Sequence, residues 1–262
     1  MSAAAAARPV LRVVEHHLLV YRRVWRGTLF STFLSPLLFL AAIGVGLGSF
    51  VDEANPSGVA GVPYIAFLAP GLLAAQAMQT AAFESTYPVM AGVRWLKTYV
   101  AMILAPLSPR HVAVGQLVWT TLRVTFGAAV FIVIMVVFGA VEPGRGILLL
   151  PVAALTGAAF AAPIAAFSAI QTNDANFASL FRFVIMPMFI FSGTFFPISQ
   201  LPELLQVVAF LTPLWHAVSL ARGLALDTLE PMLALVNVAY LVVMTGIGLW
   251  WSFRTFSRKL TE

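Results

Sequence analysis

This sequence predicts an all-α membrane protein with six transmembrane helices, and three observations carry that prediction. Six long apolar runs recur near residues 30–50, 64–87, 112–138, 147–170, 183–196 and 233–253. A hydrocarbon core about 30 Å thick takes roughly 20 apolar residues per helical crossing. Inside it, a helix satisfies its own backbone polar groups. Composition agrees, with 61% hydrophobic and 10% charged residues, whereas soluble domains carry about a quarter charged. The third observation is where the basic residues fall.

With the N-terminus inside, Arg8, Arg12, Arg22, Arg94, Lys97, Arg110, Arg182 and Arg258 all lie on the cytoplasmic side, as the positive-inside rule requires. Arg145 and Arg222 fall on outer segments, and Arg123 lies within a helix. Asp52, Glu142, Glu203 and Asp227 lie outside. Six crossings return the C-terminus to the cytoplasm. The expected location is the bacterial inner (plasma) membrane, multi-pass, with both termini cytoplasmic. The formal charge of +5 is thus a topology signal, and no nucleic-acid partner is expected without a basic stripe on a soluble surface. Cysteine is absent, which excludes disulfides and thiolate metal sites. Residues 1–7 lack a cationic stretch ahead of an apolar one, so no cleaved signal peptide is expected.

The chain divides into residues 1–28, an N-terminal amphipathic interface helix, and residues 29–262, the transmembrane domain. In the first, Val10, Val14, Leu18, Tyr21 and Trp25 recur at helical spacing, with Arg8, Arg12, His16, Arg23 and Arg26 on another side. Such a helix suits the headgroup plane; it either anchors the chain or touches a cytoplasmic partner. Gly44, Gly46 and Gly48 form a small-residue face for close packing. In the second run Gln76, Thr80 and Glu84 form a polar stripe at i, i+4, i+8, with Gln79 adjacent. Intramembrane polar groups are functional candidates, and Arg123 in the third run is the expected ion-pair partner of Glu84.

Residues 88–111 are long for a connection. Trp95, Tyr99 and Met102 recur beside Arg94 and Lys97, which predicts a short helix docked at the inner surface. Ser108 and Pro109 then read as the N-cap and first position of the next helix. Residues 191–222 follow a fifth run weakened by Pro187 and Gly193 and ended by Pro197. Two short apolar pieces, 204–211 and 215–224, are separated by Thr212-Pro213. Proline discourages one continuous helix there, so a re-entrant helical hairpin from the outer face is expected. Asn237, Tyr240 and Thr245 in the last run either line a pathway or bond to neighbouring helices, and packing is the expected role.

No catalytic motif is present, and His16, His17, His111 and His216 lack paired metal spacing, so neither a catalytic residue nor a metal is expected. The chain has two lysines, Lys97 and Lys259, and neither completes a phosphate-cradling P-loop. Acids gather at the edges and no inverted repeat is evident, unlike an ion-coupled carrier. An external ATPase docked on the cytoplasmic helices is the economical energy source. The rival readings are a secondary carrier and a non-transporting membrane scaffold.

The runs YIAFLAPGLLAAQAM, FESTYPV and WLKTYVAMILAPLSPR, with the later FSGTFFPISQLP and LTPLWHAVSLARGL, resemble permease subunits of ABC-2 type exporters. The similarity is to the branch of nodulation-factor (lipo-oligosaccharide) and daunorubicin/doxorubicin-resistance permeases. The resemblance implies export of an amphipathic, lipid-like, drug or lipo-oligosaccharide cargo. It implies a homodimer, or a pair with a close paralogue, in contact with membrane lipid. Two copies of a P-loop ABC ATPase would bind ATP and Mg, leaving no cofactor in this chain. By the same resemblance residues 94–107 are the coupling helix, with Arg94, Trp95, Lys97, Tyr99 and Leu107 facing the ATPase. Arg12, Arg22, Arg23 and Arg26 mark the interface helix, and residues 171–179 a second cytoplasmic contact. Gln76, Gln79, Thr80, Glu84 and Arg123 become pathway candidates. Residues 201–222 become the re-entrant cap, with Pro197, Pro202, Pro213 and His216.

Overall fold

The computed structural model describes residues 3–261; Met1, Ser2 and Glu262, at the ends of the two expected regions, lie outside the described residues. Helix α1 (Ala3–Phe39) passes into a π-wound turn, Leu40–Leu47, and then α2 (Gly48–Ala54). The expected surface helix and first crossing are therefore one helical run. Gly44 and Gly48 of this run approach Ile65 and Tyr64, while Gly46 meets only the carbonyl of Ala41. The three glycines do not share one packing face, because Gly46 is two residues from each of the others and i, i+2 positions point to opposite sides of a helix.

Helix α3 (Tyr64–Ser85) is the most enclosed element and packs against α6, α7 and α11. It continues through α4 (Tyr87–Met90) and a π-wound turn, Ala91–Trp95, before Lys97 adopts a left-handed backbone (φ 52°) and α5 (Thr98–Leu104) begins. The expected Trp95–Tyr99–Met102 stripe is thereby corrected: the break at Lys97 leaves Trp95 exposed and turns Tyr99 into the core. Helix α6 (Pro109–Val137) starts as expected. Ser108 Oγ accepts the His111 N–H at 3.4 Å, and His111 Nδ1 accepts the Ser108 N–H at 3.2 Å, a reciprocal cap with histidine in the usual glutamate's role.

Helix α7 (Pro143–Ile170) leads to α8 (Ala175–Leu180), a π-wound turn Phe181–Ile185, and α9 (Met186–Phe191). Here the expectation is corrected again. The fifth run starts at Ala175 and ends at Phe191, where Ser192 and Gly193 (φ 79°) turn the chain. Glycine tolerates that backbone without a Cβ clash, so it terminates the helix before Pro197, which instead opens the 3-10 turn Ile198–Gln200. Helices α10 (Glu203–Phe210) and α11 (Pro213–Leu226) are bent by 84° at the Thr212-Pro213 break. Helix α12 (Pro231–Thr261) closes the chain.

Among the described residues five helices are long and apolar enough to cross a membrane, or six if the bent α10–α11 pair is one span; Ala175–Phe191 is shorter. Among the described residues the most extensive join is α7 on α12. A Cβ on Gly248 would lie 2.5 Å from Pro163 Cδ, and Ser252 Oγ donates to the Ala162 carbonyl at 2.8 Å. Small residues four apart let two backbones approach where lipid offers no hydrophobic drive.

Candidate functional site

One face of α6 gathers the polar groups at the α5 end of the bundle. Arg123 Nε lies 3.2 Å from Glu84 Oε1, with their side chains 11% and 22% exposed. The Arg123 guanidinium also covers the Tyr21 ring at 4.2 Å, so it joins α1, α3 and α6. Thr80 accepts from Gln76 Nε2 at 3.5 Å, on the same face as Glu84. Gln79 turns toward a separate cleft.

Two turns earlier on α6, Gln116 is fully buried. Its Nε2 donates to the Glu84 carbonyl at 2.9 Å and to Thr120 Oγ1 at 3.2 Å; its Oε1 accepts the Tyr99 hydroxyl at 2.7 Å. The reason lies in the sequence. Pro88 stands four residues after Glu84 and has no N–H to return to that carbonyl. A carbonyl orphaned at membrane depth needs another donor, and Gln116 supplies it. Burial, aided by the nearby Glu84, pushes the Tyr99 phenol above its ordinary range, so it stays a donor. The Pro88–Glu84 spacing signals in the sequence that this carbonyl needs another donor, but it does not name Gln116 as that donor.

Helix α1 packs on the same α6 face. Val13 is buried where a Cβ on Gly115 would lie 2.5 Å from its own Cβ. His17 stacks on Trp119 with centroids 5.6 Å apart, and Tyr21 meets the Trp119 edge at 5.8 Å. The expected apolar stripe is corrected here: α1 buries Val13 and half-buries His17 and Tyr21 against α6, while Leu18 and Trp25 are exposed. Arg12, Arg22, Arg23 and Arg26 all face outward. Burial, with help from His16, pushes the His17 pKa down to about 4, so its imidazole is neutral at ordinary pH. The unfolded chain binds this proton near pH 6.5, the folded chain only near pH 4. Stability is therefore expected to fall as pH drops through that window. Thermal unfolding of His17→Gln across it should show a shallower pH slope than the parent; equal slopes would contradict the assignment.

The coupling candidates divide. Arg94 and Lys97 line a cleft of about 280 Å³ with Lys259 of α12, and the buried Arg94 Nε has no hydrogen-bond partner among the described residues. Trp95 and Leu96 are exposed and Leu107 half-buried before α6. Tyr99 faces inward, so it cannot offer its ring at the outer surface of this segment. In residues 171–179, expected as a loop, α8 already begins at Ala175; Asn176 donates to Gln171 Oε1 at 2.6 Å while Asn173 and Asp174 are exposed.

A second cleft, about 410 Å³, lies between α1, α3, α6 and the π-wound Phe181–Ile185. Phe39, Phe131, Phe189 and the stacked pair Phe83–Phe181, 4.5 Å apart, line it with the amides of Gln76 and Gln79. Aromatic walls with two amides can hold an apolar body that carries a few hydrogen-bonding groups.

At the other end, Arg222 of α11 is the centre. Its Nε donates to the Phe67 carbonyl at 3.1 Å, one Nη donates to Gly193 and Thr194 at 2.9 and 3.4 Å, and the guanidinium stacks on Phe67 at 3.7 Å. In the sequence Arg222 stands only as an exception to the positive-inside rule, with no role of its own. His216 Nδ1 lies 2.8 Å from Asn237 Oδ1 and its ring stacks on Tyr240 at 3.9 Å, which holds α11 on α12. Pro213 takes the first turn of α11 behind the Thr212 cap, and Pro202 precedes α10. Pro197 belongs to the loop after Gly193, where it precedes the 3-10 turn Ile198–Gln200.

Residues 10–226 match the ABC-2 type transporter family. The chain is 31% identical over 218 residues to Nodulation protein J of Rhizobium meliloti (strain 1021), covering 83% of this chain and 81% of that protein. It is 28% identical over 250 residues to Nodulation protein J of Neorhizobium galegae, covering 95% and 93%. The same-named protein of Bradyrhizobium diazoefficiens (strain JCM 10833 / BCRC 13528 / IAM 13628 / NBRC 14792 / USDA 110) is 29% identical over 248 residues, covering 95% and 92%.

Proposed function

Because the chain belongs to the ABC-2 type transporter family, we propose that this membrane transporter subunit is the permease of an ATP-driven exporter, powered by a separate ABC ATPase. The observation that carries the reading is the hydrogen-bonded link from the surface segment to the spanning helices. Tyr99 of α5, Gln116 of α6 and the Glu84 carbonyl of α3 form one buried chain. A push on α5 has a short, satisfied path into the two helices beside the aromatic cleft. The exposed Trp95 and Leu96 with the cationic cleft of Arg94 and Lys97 offer the ATPase its contact. The segment then lies in the cytoplasm, as does the basic face of α1, and the chain resides in the bacterial inner membrane as one half of a dimer.

The cargo is amphipathic: a drug, lipid-like molecule or lipo-oligosaccharide. The five phenylalanines and two amides of the 410 Å³ cleft support that class. The test is purification from native membranes. An ATPase should copurify, and reversing the charge of both Arg94 and Lys97 should leave ATP hydrolysis running while transport stops. Normal transport by that double variant, with the ATPase attached, would overturn the coupling role of these residues. A chain that transports without any ATPase would overturn the ATP-driven reading itself.

A further inference from the structure

We propose that Gln116 is the positioning residue that carries movement of residues 91–104 into α3, an inference that rests on the ATP-coupled reading above. Between α4 and α5 the segment has no continuous helix to transmit a push. The π-wound turn Ala91–Trp95 and the left-handed Lys97 interrupt it. Pro88 interrupts the ladder once more, by leaving the Glu84 carbonyl without its helical donor. A displacement of α5 would be absorbed at these breaks unless a side chain spans them.

Gln116 spans them. A primary amide has both an acceptor and a donor end, and here the two ends hold opposite sides of the break. The acceptor takes the Tyr99 hydroxyl from α5 at 2.7 Å, and the donor reaches the Glu84 carbonyl of α3 at 2.9 Å. The second amide proton goes to Thr120, one turn along α6, which fixes the amide's orientation. Gln116 is 1% exposed and Tyr99 likewise 1%, so no water competes for either bond. Glu84 is held twice from the same α6 face: its carbonyl by Gln116 and its carboxylate by Arg123. A shift of Tyr99 therefore reaches the last turn of α3 through one side chain, next to the stripe of Thr80 and Gln76 and the aromatic cleft.

The experiment uses the complex of the full chain with its copurified ATPase, in lipid, with a non-hydrolysable ATP analogue as the probe. Amide hydrogen exchange is read with and without the analogue. In the parent complex the analogue should alter exchange in residues 91–104 and also in residues 80–90. In Tyr99→Phe, which keeps the ring and removes the hydroxyl, and in Gln116→Leu, the response of 91–104 should persist. The response of 80–90 should fall about fivefold, the loss of one net buried hydrogen bond. The double variant should be no worse than Gln116→Leu alone. An undiminished response of 80–90 in both variants overturns the role of Gln116. A parent complex with no response in 91–104 overturns the ATP-coupled reading and this inference with it. Tyr99→Phe is the milder change, so the test survives if Gln116→Leu fails to fold.

Discussion

Arg123→Gln with Glu84 retained is expected to destabilise the protein by about 3 kcal/mol, the low end for breaking a largely buried pair. The side chains are 11% and 22% exposed, so the glutamate left behind would be an uncompensated charge inside the bundle. The same guanidinium lies 4.2 Å over Tyr21, so α1 should loosen from α6 in the same variant. Replacing both members, Glu84→Gln with Arg123→Gln, should be milder than Arg123→Gln alone, because no charge is stranded. Thermal unfolding in detergent micelles measures the series, and proteolysis of α1 reports the loosened contact. Single variants that unfold at the parent temperature, with α1 equally protected, would show that each residue merely faces its own headgroups.

A second large effect is expected at the opposite end, from Arg222→Leu. Gly193 and Thr194 lie outside any helix, and their carbonyls are served by the Arg222 guanidinium at 2.9 and 3.4 Å. Without it, two irregular carbonyls lose their donor where irregular backbone survives only if satisfied. Stacking on Phe67 at 3.7 Å is lost as well. The two stranded carbonyls should cost about 2–6 kcal/mol, at about 1–3 kcal/mol for each buried group left without its donor. Arg222→Lys should recover little, since an ammonium cannot fork to three carbonyls or stack flat on a ring. The Gly193–Pro197 turn should become the first site cut by protease in Arg222→Leu. An unchanged cleavage pattern and unfolding temperature would remove Arg222 from this role.

The relation between sequence and site is uneven, and the unevenness has physical causes. Glu84 and Arg123 were legible as partners because intramembrane charges are few and each needs a counter-charge. The Ser108-Pro109 start of α6 and the break at Thr212-Pro213 were legible because capping and proline chemistry act within a few residues. Gln116 was not legible: its partners Tyr99 and Glu84 are 17 and 32 positions away, and nothing local distinguishes it from other glutamines. His17 and Val13, rather than Leu18 and Trp25, face α6 from α1, because lipid is as apolar as a protein core. Hydropathy therefore cannot say which apolar side of a membrane helix meets protein.

By itself the sequence determined that the chain is helical and lies in a membrane, with apolar runs whose length matches a bilayer and a charge asymmetry that orders their ends. Those properties are sums over local residues, and water and lipid impose them on any chain of this composition. Only the tertiary structure decided which side chains repair the breaks in the helices. Gln116 answers the carbonyl that Pro88 orphans, and Arg222 answers the carbonyls that follow the Gly193 turn. Each repair joins residues far apart in the chain, because a backbone group stranded away from water takes its hydrogen bond from whichever donor the packing brings near.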